Sequence, residues 1–388
     1  MKLLLSFNVL CLRNGKKGKI MFARRLQQLN PYKPGEQPKD REYIKLNANE
    51  NPYEPSPKVA EALKNIPLKK LGLYPDPDSG LLRSAIADEL NASRGVLVAA
   101  ADQPELPFKI TPDMIFCGNG SDEVLSFVFY AFFDSDKPLV LPEHTYSFYP
   151  VYAGYYGIQL KKVPLNADFS LDKQAMLDVD STGIIFANPN APTGIELSIE
   201  EIDQMLAAYP KDKVFVVDEA YTDFSGHTVL PLLQKYQNLL VIRTFSKSMS
   251  FAGMRLGYAI GNPELIKALT TTKNSFNHFP ADAVCQAAGI AACSDIEYYA
   301  RNCKKIMQTR DDFSAKLVAA GWQVVPSKTN FILVAKKGFS GNDVYQAIKK
   351  DGILVRYFDI DLIRDFVRIT IGTPEQMAAL LESMLKIK

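Results

Sequence analysis

No Cys-x-x-Cys pair occurs in this sequence, and its five cysteines, Cys11, Cys117, Cys285, Cys293 and Cys303, are scattered and odd in number. That pattern excludes a disulfide framework or a cysteine-built zinc site, and it fits a reducing, cytoplasmic setting. Histidine is scarcer still, and His144, His227 and His278 lie too far apart to form a local metal motif. An excess of one charge is missing too. The formal net charge is +2, and no basic run is interleaved with aromatics, so the footprint of a nucleic-acid binder is absent. The apolar stretch Leu3–Leu12 is too short to cross a membrane. Its basic residues Arg13, Lys16, Lys17 and Lys19 mostly follow it, and no small-residue cleavage site comes after, so it does not read as a signal peptide. Residues 1–20 therefore read as a mis-set start or a disordered extension without function, and Met21 opens a normal beginning.

What is present is a chain of 388 residues, 47% hydrophobic and 23% charged, with room for two domains. Short apolar runs recur, and each ends in polar residues. Met114-Ile-Phe-Cys117 leads into Gly118-Asn-Gly-Ser-Asp-Glu123, and Leu139-Val-Leu141 into Pro142-Glu-His-Thr-Tyr146. Gly183-Ile-Ile-Phe186 leads into Ala187-Asn-Pro-Asn-Ala-Pro-Thr-Gly194, Lys213–Val217 into Asp218-Glu-Ala-Tyr221, and Leu239-Leu-Val-Ile242 into Ser246-Lys247. Runs of this kind alternating with helical patterns predict an α/β fold, and in open α/β sheets the carboxyl ends of the strands carry the ligand.

The residues at those ends suit one kind of chemistry. A glycine turn entering a helix over Val124–Phe133 offers free N–H groups and a positive dipole end to a phosphate. A dinucleotide turn would need a glycine at position 123, where Glu123 stands. An aspartate at a buried strand end, Asp218, requires a cation or strong donor. A desolvated Lys247 can attack an aldehyde, and Arg255 can hold a phosphate. Plain readings stand beside each of these: a surface lysine, an Asn-Pro turn, a helix-capping aspartate, first-turn acids at Asp122 and Glu123.

The run Ser246-Lys247 followed by Ala252-Gly-Met-Arg255 and Gly257-Tyr258 resembles the cofactor-lysine signature of the fold-type I pyridoxal-phosphate aminotransferases. Asn47-Ala-Asn-Glu-Asn-Pro52, with Pro31-Tyr32 before it, is similar to the N-terminal motif of the histidinol-phosphate aminotransferases within that superfamily. The resemblance implies a large domain with a mostly parallel sheet flanked by helices, plus a smaller α/β domain. The expected division is 1–20 extension, 21–70 N-terminal arm and part of the small domain, 71–282 cofactor-binding large domain, 283–388 C-terminal small domain. It implies pyridoxal 5′-phosphate bound at Lys247 beside Ser246, its phosphate held by Gly120, Ser121, Asp122 and Arg255, with Tyr74 reaching in from the partner of a homodimer with shared sites. Tyr146 would stack on the ring, Asn190 and Tyr221 would contact the ring oxygen, and Asp218 would meet the pyridine nitrogen. Lys247, Asp218 and Tyr221 carry the catalytic roles. Tyr32, Asn49, Arg356 and Arg368 are assigned to substrate, Arg368 to a carboxylate and Arg356 to a phosphate. No metal is expected.

Beyond Pro280 the pattern is helical, with strands read over Gly321–Val334 and Gly352–Arg356 and a capped final helix opening at Thr373-Pro-Glu-Gln376. Val96–Phe108 has no clear period and reads as a surface insertion without a role. The reaction implied is transamination between L-histidinol phosphate and 2-oxoglutarate, small-molecule partners without nucleic acid or membrane. Its rivals are a broad-specificity aromatic aminotransferase, a threonine-phosphate decarboxylase, and a cofactor-sensing regulator. The last would need a DNA-binding domain for which the segment before Asn47 leaves too little chain.

Overall fold

The computed structural model describes residues 23, 25–26, 29–32, 34–134 and 136–387. The expected extension over 1–20, with Cys11 and the start at Met21, lies outside the described residues. In chain order the strands are β1 Ile44–Lys45, β2 Ile115–Asn119, β3 Leu139–Pro142, β4 Leu160–Val163, β5 Gly183–Ala187, β6 Val214–Asp218 and β7 Leu239–Thr244. They continue with β8 Leu256–Gly261, β9 Trp322–Val325, β10 Phe331–Lys336, β11 Ile353–Leu354, β12 Arg356–Tyr357 and β13 Phe366–Thr370.

Seven of them form one sheet in the order β2-β8-β7-β6-β5-β3-β4. Only β8 runs against its neighbours; the other six are parallel. The continuous apolar runs follow from burial on both faces. Ile184, Phe186, Phe215, Val217, Leu239 and Val241 pack into one cluster, and Ile185, Val216, Leu240 and Ile242 into the cluster on the opposite face. The alternation has the period of two that a pleated strand imposes. Because β8 is reversed, its start lies where the parallel strands end, with Gly257 opposite both Thr244 and Gly118. That reversal brings Arg255 to the edge that carries Lys247.

A second, antiparallel sheet has the order β12-β13-β10-β9. The helices Ile296–Ala319, Gly341–Lys350 and Pro374–Leu385 pack against it or against each other. β1 pairs in parallel with β11, which lays residues 46–52 between the two sheets. The final helix opens with the expected capping box of Thr373 and Gln376.

Four expectations need adjusting. The run Gly321–Val334 is two strands separated by a turn, and Gly352–Arg356 splits between β11 and β12, which belong to different sheets. The helix after the glycine turn begins at Gly120 and ends at Phe132. Residues 96–108 are not a surface insertion: Val96, Leu97 and Gln103 are buried, and Leu106 and Phe108 pack on the core. The Leu97 N–H donates to the Asp223 carboxylate at 3.0 Å, and the Ala100 N–H to the Gly226 carbonyl at 2.9 Å. Its apolar residues lack a period because they anchor irregular backbone, not a helix or strand.

Candidate active site

At the end of β2 the backbone turns through Gly120 with φ +77°, a left-handed conformation that favours glycine. A Cβ there would lie 2.6 Å from Arg255 Nη2. At Gly257 it would lie 2.1 Å from the Ser121 nitrogen. The two glycines thus let the N-terminus of the helix Gly120–Phe132 and the guanidinium of Arg255 close on one point. Arg255 Nη2 donates to Asp122 Oδ2 at 2.8 Å, while the Tyr146 hydroxyl donates to Asp122 Oδ1 at 2.7 Å. The Ser246 N–H is held by Thr244 Oγ1 at 3.1 Å. Ser121, Asp122, Thr244, Ser246, Ala252 and Arg255 line one end of a cavity of about 230 Å³.

Asp218 lies in the wall of the same cavity. It is the last residue of β6 and is 4% exposed. Its Oδ2 accepts from the Tyr149 hydroxyl at 2.7 Å and its Oδ1 from the Ala220 N–H at 3.1 Å. Burial nonetheless pushes its carboxyl up to about 6, since desolvation penalises the charged form. Lys247 projects from the loop after β7, with Nζ 3.3 Å from the Ala48 carbonyl and 5.8 Å from the centre of the Tyr221 ring. The loop itself is fastened by Asn51, whose Nδ2 donates to the carbonyls of Lys247 and Ser248 at 2.8 and 3.1 Å.

Ala48, Tyr146, Ala191, Tyr221 and Lys247 also line a second cavity of about 380 Å³, so the two spaces meet at the lysine. Tyr32, Asn49, Arg356 and Arg368 line this second space. Arg356 on β12 stands directly opposite Arg368 on β13, and both guanidinium groups lie over the Phe358 ring, at 5.2 and 5.3 Å. Arg368 donates to the Asn47 carbonyl at 3.4 Å, and its buried Nε has no hydrogen-bond partner. Burial, with Arg356 adding to it, holds the Arg368 guanidinium below its ordinary value. Like charges directly opposite on neighbouring strands oppose folding, and the Glu36 carboxylate offsets part of that cost at Arg356. Tyr32 packs against Phe148 at 5.2 Å, and Asn49 donates to the Tyr221 hydroxyl at 2.9 Å.

Most of the residues singled out in the sequence therefore converge around Lys247, and two do not. Asn190 lines neither cavity; the neighbouring Ala191 lines both. The Asn190 amide is turned away, with Nδ2 donating to the His144 carbonyl and to Thr193 Oγ1 at 2.9 and 3.0 Å, so the expected donor to a ring oxygen is already engaged elsewhere. Tyr74 is 84% exposed and stacks on Phe279 at 4.7 Å, away from the cavities of its own chain. Sequence reasoning overlooked Tyr149 and Asn51. Asn51 belonged to a motif already quoted, whereas nothing in the local sequence of Tyr149 signals a contact with a residue 69 positions away.

A family model described as aminotransferase class I and II matches residues 41–384. The chain is 49% identical over 375 residues to a histidinol-phosphate aminotransferase of Syntrophus aciditrophicus, covering 96% of this chain and 99% of that one. It is 44% identical over 359 residues to a histidinol-phosphate aminotransferase of Pseudomonas syringae, covering 92% and 97%. Its fold matches the crystal structure of a histidinol-phosphate aminotransferase from Sinorhizobium meliloti in complex with pyridoxal-5′-phosphate, with TM-score 0.81, 24% identity and coverage of 96% and 98%. A Thermus thermophilus aspartate aminotransferase variant shares the fold at TM-score 0.77 and 19% identity.

Proposed function

Since the chain belongs to the class I and II aminotransferases and has their α/β fold, we propose that it binds pyridoxal 5′-phosphate at Lys247 and interconverts L-histidinol phosphate and 2-oxoglutarate with imidazole-acetol phosphate and L-glutamate, a step of histidine biosynthesis. The observation that carries the substrate choice is the pair Arg356 and Arg368, opposed across two strands in a cavity that opens onto Lys247.

The residues of the first cavity fit the cofactor. A glycine-lined turn with Arg255 suits its phosphate, and a Cβ at Gly120 would obstruct that approach. At the other end, a buried carboxyl raised by desolvation is what a protonated pyridine nitrogen would return to its anionic state. When bound, the cofactor supplies an electron sink that acidifies the C–H bond at the amine-bearing carbon. Asp218 would keep the proton on the pyridine nitrogen, and the Tyr149 hydroxyl fixes that carboxylate. Tyr221 would donate to the ring oxygen and Tyr146 would cover the ring. Lys247 would hold the cofactor, and its amine is the group that would carry the proton at the reacting carbon. Arg368 forks onto the carboxylate of glutamate and Arg356 meets the phosphate of the amino alcohol, one site serving two anions.

The same proposal assigns 71–282 to a cofactor-binding domain, supported by the seven strands between Ile115 and Gly261, and 283–388 to a small domain, supported by the antiparallel sheet. It includes a homodimer. Leu68, Leu73, Tyr74, Leu81 and Phe276 leave large apolar side chains exposed, and in this reading Tyr74 among them would reach the partner's cofactor phosphate. A cytoplasmic setting is supported by the free, buried Cys117, Cys285, Cys293 and Cys303, whose thiols burial pushes up. Among the described residues no helix is long and apolar enough to cross a membrane.

The test is steady-state kinetics with L-histidinol phosphate, phenylalanine and tyrosine side by side, each with 2-oxoglutarate. A kcat/KM for histidinol phosphate above both aromatic amino acids supports the proposal; equal values would favour the aromatic aminotransferase.

A further inference from the structure

We propose that Thr370 and Asn49 set the direction of the Tyr221 hydroxyl proton, and so act as positioning residues that aim it into the cofactor cavity. The inference rests on the reading that Tyr221 faces the cofactor's ring oxygen.

The polarity of the chain of hydrogen bonds is fixed from one end. The Asn49 backbone N–H can only donate, and it donates to Thr370 Oγ1 at 2.9 Å. The single proton of that hydroxyl is then free to go to Asn49 Oδ1, 3.2 Å away. With its oxygen so engaged, the amide presents Nδ2 to Tyr221, and an amide nitrogen is donor only. It donates to the Tyr221 hydroxyl oxygen at 2.9 Å. Tyr221 must therefore send its own proton elsewhere, and its side chain lines both cavities.

The frame around this relay is stiff. Asn49, Thr370 and Tyr221 are buried. Asn49 adopts φ +55°, a conformation asparagine tolerates better than most residues, and Asn330 Nδ2 holds its carbonyl at 3.0 Å. Successive hydrogen bonds running in one direction also strengthen each other. The relay matters more here because Asn190 is turned away and Ala191, which has no donor, lines the cavity in its place. Without the Thr370 hydroxyl the Asn49 amide is free to reverse, present its oxygen to Tyr221, and draw that proton out of the cavity.

The experiment follows the visible absorbance of the lysine-bound cofactor in the resting holoenzyme, without substrate, from acid to alkaline pH. A donor at the ring oxygen favours its anion and lowers the pH midpoint of that band. Tyr221→Phe is expected to raise the midpoint by about one unit, the scale of one hydrogen bond to a charged group. Thr370→Val, close to isosteric, should raise it in the same direction by a smaller amount, and Thr370→Ser should restore the parent value. Asn49→Gly, which keeps the left-handed backbone, should also raise it and serves if Thr370→Val does not fold. In the Tyr221→Phe background neither change should add a further shift. If Tyr221→Phe moves the midpoint while Thr370→Val and Asn49→Gly leave it in place, or if they shift it equally without the Tyr221 hydroxyl, the positioning role is overturned alone. If Tyr221→Phe moves nothing, the placement of Tyr221 at the ring oxygen falls, and the inference with it.

Discussion

Asp218 is held among apolar strands, and burial pushes its carboxyl up to about 6. A carboxyl raised on folding contributes stability that is fully present below its unfolded value and is lost as pH rises through the folded one. The cofactor-free protein should therefore melt higher as Asp218→Asn than as the parent at pH 8, by up to about 2–3 kcal/mol. The Tyr149 hydroxyl can reverse to accept from the new amide, and the gap should narrow as pH falls through about 6. The loaded variant should instead lose about one to two orders of magnitude in turnover, since a charge-assisted contact to the pyridine nitrogen is gone. Calorimetry of the cofactor-free proteins across pH checks the first effect and steady-state turnover the second; a parent more stable than the variant at pH 8 without cofactor, or unchanged turnover in the loaded variant, contradicts them. Lys247 has an equally direct test. Borohydride reduction followed by peptide mapping should place the cofactor on the peptide containing Lys247, and Lys247→Ala should leave no reducible visible band.

On the scale of elements, residues 96–108 are tied to the turn before Thr228. His227 bridges Asp102 and Glu196, with ring nitrogens 3.0 and 3.1 Å from their oxygens. Burial lowers the imidazole's affinity for a proton, but the two carboxylates outweigh it and the net direction is upward. The clamp is therefore fully formed below the ordinary histidine range and weakens as pH rises through the raised value. Hydrogen exchange over 96–108 should speed up across that window in the parent and change little in His227→Gln; identical pH profiles contradict the clamp. This segment also shows where sequence legibility stops. β5, β6 and β7 were readable because burial on both faces forces continuous apolar runs, and Asp218 stood out because a carboxylate at a buried strand end is costly without a cation or strong donor, whereas Lys247 and Arg255 were singled out by the motif around them. Residues 96–108 were misread because irregular backbone has no period to detect. For Asn190, two asparagines and an alanine in a turn do not disclose which side chain faces the cavity, and the structure shows Ala191 lining it. The contacts Tyr149–Asp218 and Asn49–Thr370 join residues 69 and 321 positions apart, and no local pattern encodes such pairs.

For the whole molecule, the division of labour follows from one topological fact, the reversal of β8, which brings Arg255 beside the ends of parallel strands. The second sheet contributes the two arginines, and β1 with residues 46–52 closes the space between the sheets. In the proposed dimer the exposed apolar surface around Tyr74 would be buried between the two copies. Sedimentation should show a dimer, and Tyr74→Ala should release the cofactor faster without dissociating it. An active monomer, or unchanged cofactor retention, contradicts that role.

The measurement that reaches furthest into the account is the effect of Arg356→Ala on two substrates. A charge-assisted hydrogen bond to a phosphate contributes roughly 1.5–3 kcal/mol, so kcat/KM for L-histidinol phosphate should fall by about one to two orders of magnitude. The value for phenylalanine, which has no phosphate and in the proposed site would be held by Arg368, should fall far less. Equal losses for both substrates, or none for either, would contradict a site built for a phosphorylated amino alcohol.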